Sequence, residues 1–352
     1  MSRNLARLAL PAIIAVFLLS SLATAQSSDL FPDFGAPKVL QPGTVTLHGS
    51  ATCLNGAPKE SICKSLTVSC PGLPDINGTI GVAQPANAIG TIILLAGGPG
   101  VNFLDDGFAV PYYNDGFNVV QLAWAKGSDW PDANDVGIKV AACRPAAIFK
   151  WVYQNVQKNK KTIGFCGQGI SGGGGEFGYG LADYGMANYF DYVVIASGPG
   201  VTRMDYGCDP PLYTGPALNL CPLLTDAPYA YPLGNPIIAG VNKWEGTTTC
   251  GESNPLQSDI TLWARDSLWS SASNYTYPKT AISWFFCTTP ASLTENTGQG
   301  DLLYQQITAK NSPSDINCYS GVCSGEEVWQ DQNAVSDTMS DMLTNCVPNH
   351  NP

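Results

Sequence analysis

The chain has little charge and almost no histidine. It carries 17 Lys and Arg against 28 Asp and Glu, for a formal net charge of −11, and only 2 His. Charged residues make up 13% of the chain, about half the usual share. Binding to nucleic acid or to anionic membrane surfaces needs clustered positive charge. The composition therefore argues against both classes of partner.

Long apolar runs are also missing after the N-terminus, since no later stretch approaches the roughly 18 apolar residues that suggest a membrane span. The N-terminus itself combines Arg3 and Arg7 with the short apolar run Leu8–Leu19 and the small-residue motif ATA. This order is typical of a secretory signal peptide. We expect residues 1–25 to be that signal, and residues 26–352 to be a secreted protein without a membrane span.

Metal-binding spacings are missing, although the chain has 12 Cys. No tight CxxC pair has histidines nearby, so we expect no zinc or other metal site. An even number of cysteines after a signal peptide favours disulfides. Cys63/Cys70 and Cys318/Cys323 are close in sequence, and each pair is linked either locally or to partners elsewhere. Cys166 could be in a disulfide or be a buried thiol.

Cofactor motifs are weak. A GxGxxG spacing occurs at Gly167–Gly172, but the acid that a dinucleotide site needs at the end of the next strand is missing, because Asp191 opens that strand. We therefore expect no cofactor. Two sequons, at Asn77 and Asn274, would accept N-linked glycans in a eukaryotic host.

Nearly continuous apolar runs alternate with helical patterns along the chain. The runs have the length of buried parallel strands, and they are Thr91–Ala96, Val119–Trp124, Thr162–Cys166, Tyr192–Ala196 and Thr280–Cys287. Apolar residues at helical spacing fill Val136–Asn155, with a break or restart at Pro145. The alternation predicts an α/β fold with a doubly wound, mostly parallel sheet. From about residue 205 to 279 the pattern dissolves, and we expect a disulfide-pinned insertion there that acts as a lid.

The stretch Lys161–Gly175 (KTIGFCGQGISGGGG) places one serine in a glycine turn. Ser171 lies between Gly169 and Gly173, with a strand pattern before it and the helix-compatible segment Glu176–Gly185 after it. Strand, tight turn and helix are the context of a nucleophile elbow, in which the serine backbone is strained. The helix start also offers free N–H groups to a developing oxyanion. The pattern predicts that Ser171 is a nucleophile.

Two other interpretations of this stretch stay open. It could be a flexible glycine loop without a catalytic role. Alternatively, the strand could end two residues earlier, which would place Gly169 at the apex of the turn. We favour Ser171, because only that register puts a serine between the paired glycines.

Two further glycine turns follow predicted strands. They are Ala96-Gly97-Gly98-Pro99-Gly100 and Ala196-Ser197-Gly198-Pro199. With the Ser171 turn between them, this order resembles the α/β-hydrolase superfamily, in particular its secreted serine esterase- or lipase-like members. The resemblance covers residues 91–199. It implies a sheet of the α/β-hydrolase type and a small-molecule carboxylic ester as substrate.

The resemblance also implies an oxyanion hole built from Gly97, Gly98, Gly100, Val101 and Gly172. The loop after the first of these strands could turn the N–H of Gly98 or of Val101 toward an ester carbonyl oxygen. The N–H of Gly172 would be the second donor, and each donor is worth about 2.7–4 kcal/mol in related sites. Alternatively, the GGPG sequence only closes a turn.

The base and the acid of this machinery are degenerate or relocated. The chain order Ser, acid, His leaves His350 as the base, since His48 precedes Ser171. His350 follows the last predicted helix, Ala334–Cys346, instead of preceding it. Glu295 or Asp205 would be the acid.

The position where such enzymes carry their histidine falls near residues 323–327, which contain Glu326 and Glu327. A buried carboxylate there could act as a base. Alternatively, the two acids complement the dipole of the helical segment that begins at Val328. We favour the second interpretation.

Two functions follow from the sequence. The first is a secreted serine hydrolase that cleaves a carboxylic ester through an acyl-enzyme on Ser171, with aromatic residues of the insertion suggesting an apolar or aromatic acyl group. The alternative is a catalytically impaired secreted protein of the same fold that binds a small apolar ligand or a glycan.

Overall fold

The structure is a computed structural model. It describes residues 38–105, 107–127, 129–133, 135–209, 221, 229–288, 295–312, 314–321, 323 and 327–349. The expected signal peptide and His350 lie outside these residues, as does Glu326.

Eleven strands are formed by the described residues. They are β1 Thr44–Ser50, β2 Ile62–Ser69, β3 Ile76–Ala83, β4 Gly90–Leu95, β5 Phe117–Trp124, β6 Gly164–Ile170, β7 Tyr192–Ala196, β8 Thr276–Tyr277, β9 Ala281–Cys287, β10 Thr308–Ala309 and β11 Asp315–Tyr319. Nine of them form one sheet in the order β1-β2-β3-β5-β4-β6-β7-β9-β11, while β8 and β10 pair separately. β5, β4, β6, β7, β9 and β11 are parallel, and β1, β2 and β3 add an antiparallel edge. The predicted α/β, mostly parallel sheet is confirmed.

The central strands are buried on both faces, which explains their continuous apolar runs. β4 and β5 show this clearly, because every residue of each strand is buried. Alternate residues of β4 enter different cores, as expected for a period of two. Ile93 and Leu95 join the cluster on one face, whereas Ile92 and Leu94 join the cluster on the other.

Helices cover both faces of the sheet. They are α1 Ala109–Asn114, α2 Ile138–Ala141, α3 Cys143–Asn155, α4 Gly172–Asp183, α5 Met204–Cys208, α6 Pro236–Glu245, α7 Gln257–Asp266, α8 Glu295–Gln306 and α9 Gln332–Asn345. The helical pattern over Val136–Asn155 forms α2 and α3, with the break at Ala142. Pro145 lies in the first turn of α3, where a missing N–H costs no helical hydrogen bond.

The glycine run after Ser171 is a helix, so the interpretation as a flexible loop is wrong. α4 begins at Gly172, four residues earlier than the apolar pattern suggests. The helix lies too close to its neighbours for side chains: a Cβ on Gly173 would lie 2.6 Å from the Leu95 carbonyl oxygen, and one on Gly180 would lie 2.9 Å from the Phe149 ring. Close packing, not flexibility, therefore explains these glycines.

The region between β7 and β9 carries α5, α6 and α7. A disulfide from Cys208 to Cys250 links the end of α5 to the loop after α6. At the C-terminal end of α6, Glu245 accepts a hydrogen bond from the N–H of Ile138 at 2.9 Å. The Trp244 carbonyl accepts one from the N–H of Gly137 at 3.1 Å. Both bonds attach α6 to the start of α2.

All twelve cysteines are paired. The six disulfides are Cys53–Cys63, Cys70–Cys143, Cys166–Cys346, Cys208–Cys250, Cys221–Cys318 and Cys287–Cys323. Both neighbouring pairs noted in the sequence are therefore split, because each cysteine has its partner elsewhere. Cys166 is not a free thiol, since it ties β6 to the end of α9.

The two sequon asparagines are exposed. Asn77 lies in β3, where its side chain accepts a hydrogen bond from the Thr67 hydroxyl at 2.8 Å. Asn274 lies in a loop before β8. Glycosylation at either residue stays a prediction.

The longest-range disulfide should contribute most to stability. Replacing Cys166 and Cys346 together by Ser opens a loop of 180 residues, which should lower the free energy of unfolding by about 4–5 kcal/mol through unfolded-state entropy. Urea denaturation measures the change. The matched control, replacement of Cys53 and Cys63 across a separation of 10 residues, should cost about 2.5–3 kcal/mol. Equal losses in the two variants would contradict the entropic explanation.

Candidate active site

Ser171 lies at the apex of the turn between β6 and α4. β6 extends through Ile170, and Gly169 is paired with Leu95 inside the sheet. The alternative register, with Gly169 at the apex, is therefore not the one observed. Ser171 has φ 50° and ψ −111°, a region that costs a non-glycine residue about 1–3 kcal/mol.

Backbone hydrogen bonds hold the serine in this strained conformation. Its N–H donates to the Ala196 carbonyl at 2.8 Å, and its own carbonyl accepts from the N–H of Gly175 at 3.1 Å. The turn also leaves no room at its base, because a Cβ on Gly169 would lie 2.6 Å from the Gly173 carbonyl. The strand, the neighbouring strand and the helix thus fix the serine together.

The loop after β4 packs directly on this turn. A Cβ on Gly172 would overlap the carbonyl oxygen of Gly98 and lie 3.1 Å from its nitrogen. Gly98 has φ 59°, in the left-handed region that favours glycine. The N–H of Gly100 closes the turn by donating to the Gly97 carbonyl at 3.2 Å. This arrangement brings the Gly98 backbone to the start of α4, beside Ser171.

Two cavities meet at Ser171. Among the described residues, Ser171 and Gly98 line both of them, whereas Val101 lines neither. Gly98 is thus better placed than Val101 to provide an N–H at the reacting centre. Two cavities that meet at one nucleophile suit a substrate with a group on either side of the bond that breaks.

The first cavity, which we call the apolar cavity, has a volume of about 470 Å³. One wall comes from the insertion, where α6 contributes Ile237 and Trp244. The opposite wall includes Trp130, Ile138 and Val201. The expected lid region therefore lines the apolar cavity at Ser171, and its role as a lid stays a prediction.

The second cavity, which we call the polar cavity, has a volume of about 640 Å³. Its side-chain polar groups come from Asn55, Asn102, Asp105 and Glu327. Sequence reasoning missed the first three of these residues, because they lie in loops without a motif.

Of the predicted base and acids, Asp205 is the residue whose side chain the structure describes. His350 lies outside the described residues, and the side chain of Glu295 at the start of α8 is also not described. His48 is exposed on β1, with its Nε2 2.8 Å from the Thr67 hydroxyl. Four strands separate β1 from β6 in the sheet, which places His48 about 24 Å from that strand.

Asp205 is engaged elsewhere. Its side chain is buried, and Oδ1 accepts a hydrogen bond from Arg203 Nε at 2.8 Å while Oδ2 accepts one from Arg203 Nη2. The Arg203 guanidinium lies over the Tyr206 ring, 3.6 Å from its centroid. Asp205 lines neither cavity. The geometry thus gives this carboxylate a structural partner instead of an imidazole.

The C-terminal tail is attached where the parallel strands begin, whereas Ser171 lies where β6 ends. The N–H of Asn349 donates to Asp191 Oδ1 at 2.6 Å, and Asp191 precedes β7. The disulfide from Cys346 to Cys166 anchors the same region to β6. Ser171 follows the other end of β6, about 20 Å from Asn349 at the usual rise per residue.

Glu327 is one of two carboxylates that line the polar cavity together with Ser171, the other being Asp105. It is exposed, and its Oε2 accepts a hydrogen bond from Gln330 Nε2 at 3.1 Å. The next residue, Val328, donates its N–H to the Ser197 hydroxyl at 3.1 Å. Ser197 directly follows Ala196, whose carbonyl holds Ser171. These bonds link the backbone next to Glu327 to the strand end that holds Ser171.

A second acid, Glu176, lies beneath the glycine loop. It is fully buried in α4, and its Oε1 is 3.4 Å from Trp124 Nε1. Within the described part of the chain, Oε2 has no hydrogen-bond partner. Burial raises the pKa of Glu176 to about 8, against the smaller opposing effect of the Trp124 hydrogen bond. A Cβ on Gly100 would lie 3.3 Å from Glu176 Oε1, so the neutral acid supports the loop.

The site and the sheet together define an α/β-hydrolase fold: a strained serine between strand and helix, a glycine loop beside it, and parallel strands flanked by helices. Among solved structures, acetyl xylan esterase 1 from a Thermoanaerobacterium species is similar at 13% identity and a TM-score of 0.50, over 84% of this chain and 87% of that chain. A puromycin hydrolase is similar at 9% identity and a TM-score of 0.51, over 86% of this chain and 39% of that chain. No protein-family model and no curated protein sequence matches.

The described ranges of the chain show neither a metal site nor a membrane-spanning helix. Among the described residues, no group of three or more His, Cys, Asp or Glu side chains could hold a metal ion. None of the helices in those ranges is long and apolar enough to cross a membrane.

Replacing Glu176 by Gln should flatten the pH dependence of stability. Between about pH 4.5 and 8 the native state holds a proton on Glu176 that the unfolded state releases. Stability from this residue is therefore present at low pH and falls by about 1.4 kcal/mol per pH unit as the pH rises through that window.

Urea denaturation at pH 5 and pH 7.5 measures the slope for each protein. Wild type should lose more stability between the two pH values than Glu176→Gln does. The exposed Glu252→Gln serves as the control and should keep the wild-type slope. Equal slopes in wild type and Glu176→Gln would contradict a buried neutral acid.

Proposed function

We propose that this protein is a secreted serine esterase that cleaves carboxylic esters through an acyl-enzyme on Ser171. The observation that carries the proposal is the strained Ser171 at the junction of two cavities, with Gly98 packed on Gly172. The similar solved structures include an acetyl xylan esterase, which supports ester hydrolysis in general. The substrate would be a small molecule.

In this mechanism Ser171 Oγ attacks the ester carbonyl carbon and forms a tetrahedral intermediate. The N–H of Gly172 at the start of α4 and the N–H of Gly98 donate to its oxyanion. Gly98 takes this role before Val101 because it lines both cavities. Collapse of the intermediate expels the alcohol and leaves the acyl group on Ser171, and water then releases the acid.

We assign the base to Glu327 instead of His350. Glu327 lines the polar cavity together with Ser171 and Asp105, and its neighbour Val328 donates a hydrogen bond to Ser197 beside the elbow. Asn349, which precedes His350, is attached to Asp191 at the start of β7, at the opposite end of the strands from Ser171. As base, the Glu327 carboxylate would take the proton of Ser171 Oγ and pass it to the leaving alkoxide.

Secretion is supported by the six disulfides, which form and persist in oxidising compartments. The signal-peptide pattern of residues 1–25 supports the same location. The low content of basic residues gives no basis for a nucleic-acid partner.

A second candidate function is ligand binding without catalysis. It is favoured by one observation: His48, the histidine among the described residues, lies far from Ser171. A small apolar ligand or a glycan would then occupy the cavities. Covalent labelling separates this candidate from the esterase.

A fluorophosphonate probe should label wild-type protein once, at Ser171, because only an activated serine attacks it. Ser171→Ala should lose the label and at least about 10³-fold of the esterase kcat. Intact-mass spectrometry and hydrolysis of a p-nitrophenyl ester measure the two quantities. The exposed Ser253→Ala is the control and should behave as wild type. Absence of labelling in a folded wild-type protein would favour the binding function.

Replacing Glu327 by Gln should lower kcat by about 10²–10⁴-fold, the usual contribution of a general base. Glu327→His should restore part of kcat and move the acid limb of the pH–kcat profile upward, because an imidazole loses its proton at a higher pH than a carboxyl group does. The profile distinguishes a base from a merely structural residue. His350→Ala should keep wild-type kcat. Loss of kcat in His350→Ala together with wild-type kcat in Glu327→Gln would identify His350 as the base.

A further inference from the structure

The two cavities have opposite chemistry, although both end at Ser171. The carbonyl carbon of an ester bound at Ser171 Oγ carries two substituents, the acyl group and the alkoxy group, which extend from it in different directions. Each cavity therefore receives one side of the ester. This inference rests on the proposed function and concerns which side goes where.

The apolar cavity has walls suited to a flat apolar group. Trp130 and Trp244 line it together with the aliphatic side chains of Ile138 and Ile237. Its volume of about 470 Å³ lies in the range of sites for ring-sized ligands. The cation that lines it, Lys243, has its Nζ 2.8 Å from Asp132 Oδ2, so its charge is paired.

The polar cavity offers uncharged and acidic hydrogen-bonding groups. The side-chain amides of Asn55 and Asn102 both donate and accept, as the hydroxyl groups of a polyol do. Asp105 and Glu327 add acceptors and make an anionic ligand unfavourable. The aromatic residue that lines this cavity, Phe103, is only 2% exposed, so the cavity lacks the open aromatic faces that hold quaternary ammonium groups.

The loops of the polar cavity are fixed before any ligand arrives. The Cys53–Cys63 disulfide closes the loop that carries Asn55. Gln121 Nε2 donates to the Leu104 carbonyl at 3.0 Å from beneath. A Cβ on Gly56 would lie 2.8 Å from Asp105 Oδ1, so the two loops touch. Such preorganisation lowers the entropic cost of binding.

The position of Glu327 sets the direction of the ester. The base that takes the serine proton returns it to the departing alkoxide, so the alcohol must leave beside Glu327. Glu327 lines the polar cavity and not the apolar one. The alcohol group therefore lies in the polar cavity, and the acyl group lies in the apolar cavity.

We propose that the substrate is an ester of a bulky aromatic acid with a neutral polyhydroxylated alcohol of the sugar type. The aromatic acyl group packs against the α6 wall, where the half-buried side chains of Trp244 and Ile237 line the cavity. The sugar hydroxyls bind Asn55, Asn102 and Asp105. Hydrolysis releases the aromatic acid and the free sugar, with water supplying the oxygen of the acid and the proton of the alcohol.

Binding tests this proposal independently of catalysis. In Ser171→Ala, quenching of tryptophan fluorescence by 6-O-cinnamoyl-glucose should give a Kd at least about tenfold lower than that of methyl cinnamate, since hydrogen bonds to the sugar add affinity. Adding Asn55→Ala and Asn102→Ala should remove this difference and leave the Kd of methyl cinnamate unchanged. Adding Trp244→Ala should raise the Kd of both cinnamate esters, but should not raise the Kd of 6-O-acetyl-glucose.

Three outcomes would overturn the proposal: equal Kd values for the sugar and methyl esters, tighter binding of cinnamoyl-choline than of the sugar ester, or equal binding of the acetyl and cinnamoyl sugars. Hydrolysis by the protein with Ser171 intact is scored separately with p-nitrophenyl acetate. If that ester is cleaved and the sugar ester shows no preference, the substrate class fails while the esterase function stands. If no ester is cleaved but the binding preference holds, the esterase function fails.

Discussion

The close contact between the loop after β4 and the start of α4 is the constraint on which the site depends. No side chain fits at Gly172, because a Cβ there would overlap the Gly98 carbonyl oxygen. The same contact brings the Gly98 backbone to the serine and keeps Ser171 in its strained conformation, which costs about 1–3 kcal/mol. The sheet supplies the compensation, since Ala196 on the neighbouring strand accepts the serine N–H.

Buried acids are a second feature of this molecule. Burial raises the pKa of Glu176 to about 8 and the pKa of Asp301 to about 7. For Glu245 the pKa is raised to about 9 by burial first and then by the neighbouring Asp266. Neutral carboxyl groups of this kind cost little at acidic pH and increasingly more as the pH rises. These three groups therefore contribute more to stability at acidic pH than at basic pH.

Several acids that the sequence offers for catalysis hold other parts of the structure together instead. Asp205 is bound by Arg203 in the core, and Asp191 holds both the Phe165 N–H and the tail at Asn349. The two ends of the parallel strands therefore have different roles. One end of the strands holds Asn349, and the other presents Ser171 between two cavities. Glu327 lies at the end that presents Ser171, although in sequence it resembles an acid at a helix start.

The sequence by itself determined the architecture and the position of the elbow. Continuous apolar runs such as Tyr192–Ala196 specify buried parallel strands, because a strand covered on both faces needs apolar residues at every position. A serine between glycines after such a run specifies a tight turn. The disulfide partners, the cavity residues Asn55 and Asn102, and the pairing of Asp205 with Arg203 were decided only by the tertiary structure. These contacts join segments through side-chain directions and loop paths, which local periodicity does not encode. The same reason explains why two acids so alike in sequence, Asp205 and Glu327, have opposite surroundings: one is enclosed by a guanidinium, and the other faces the cavity that holds the serine.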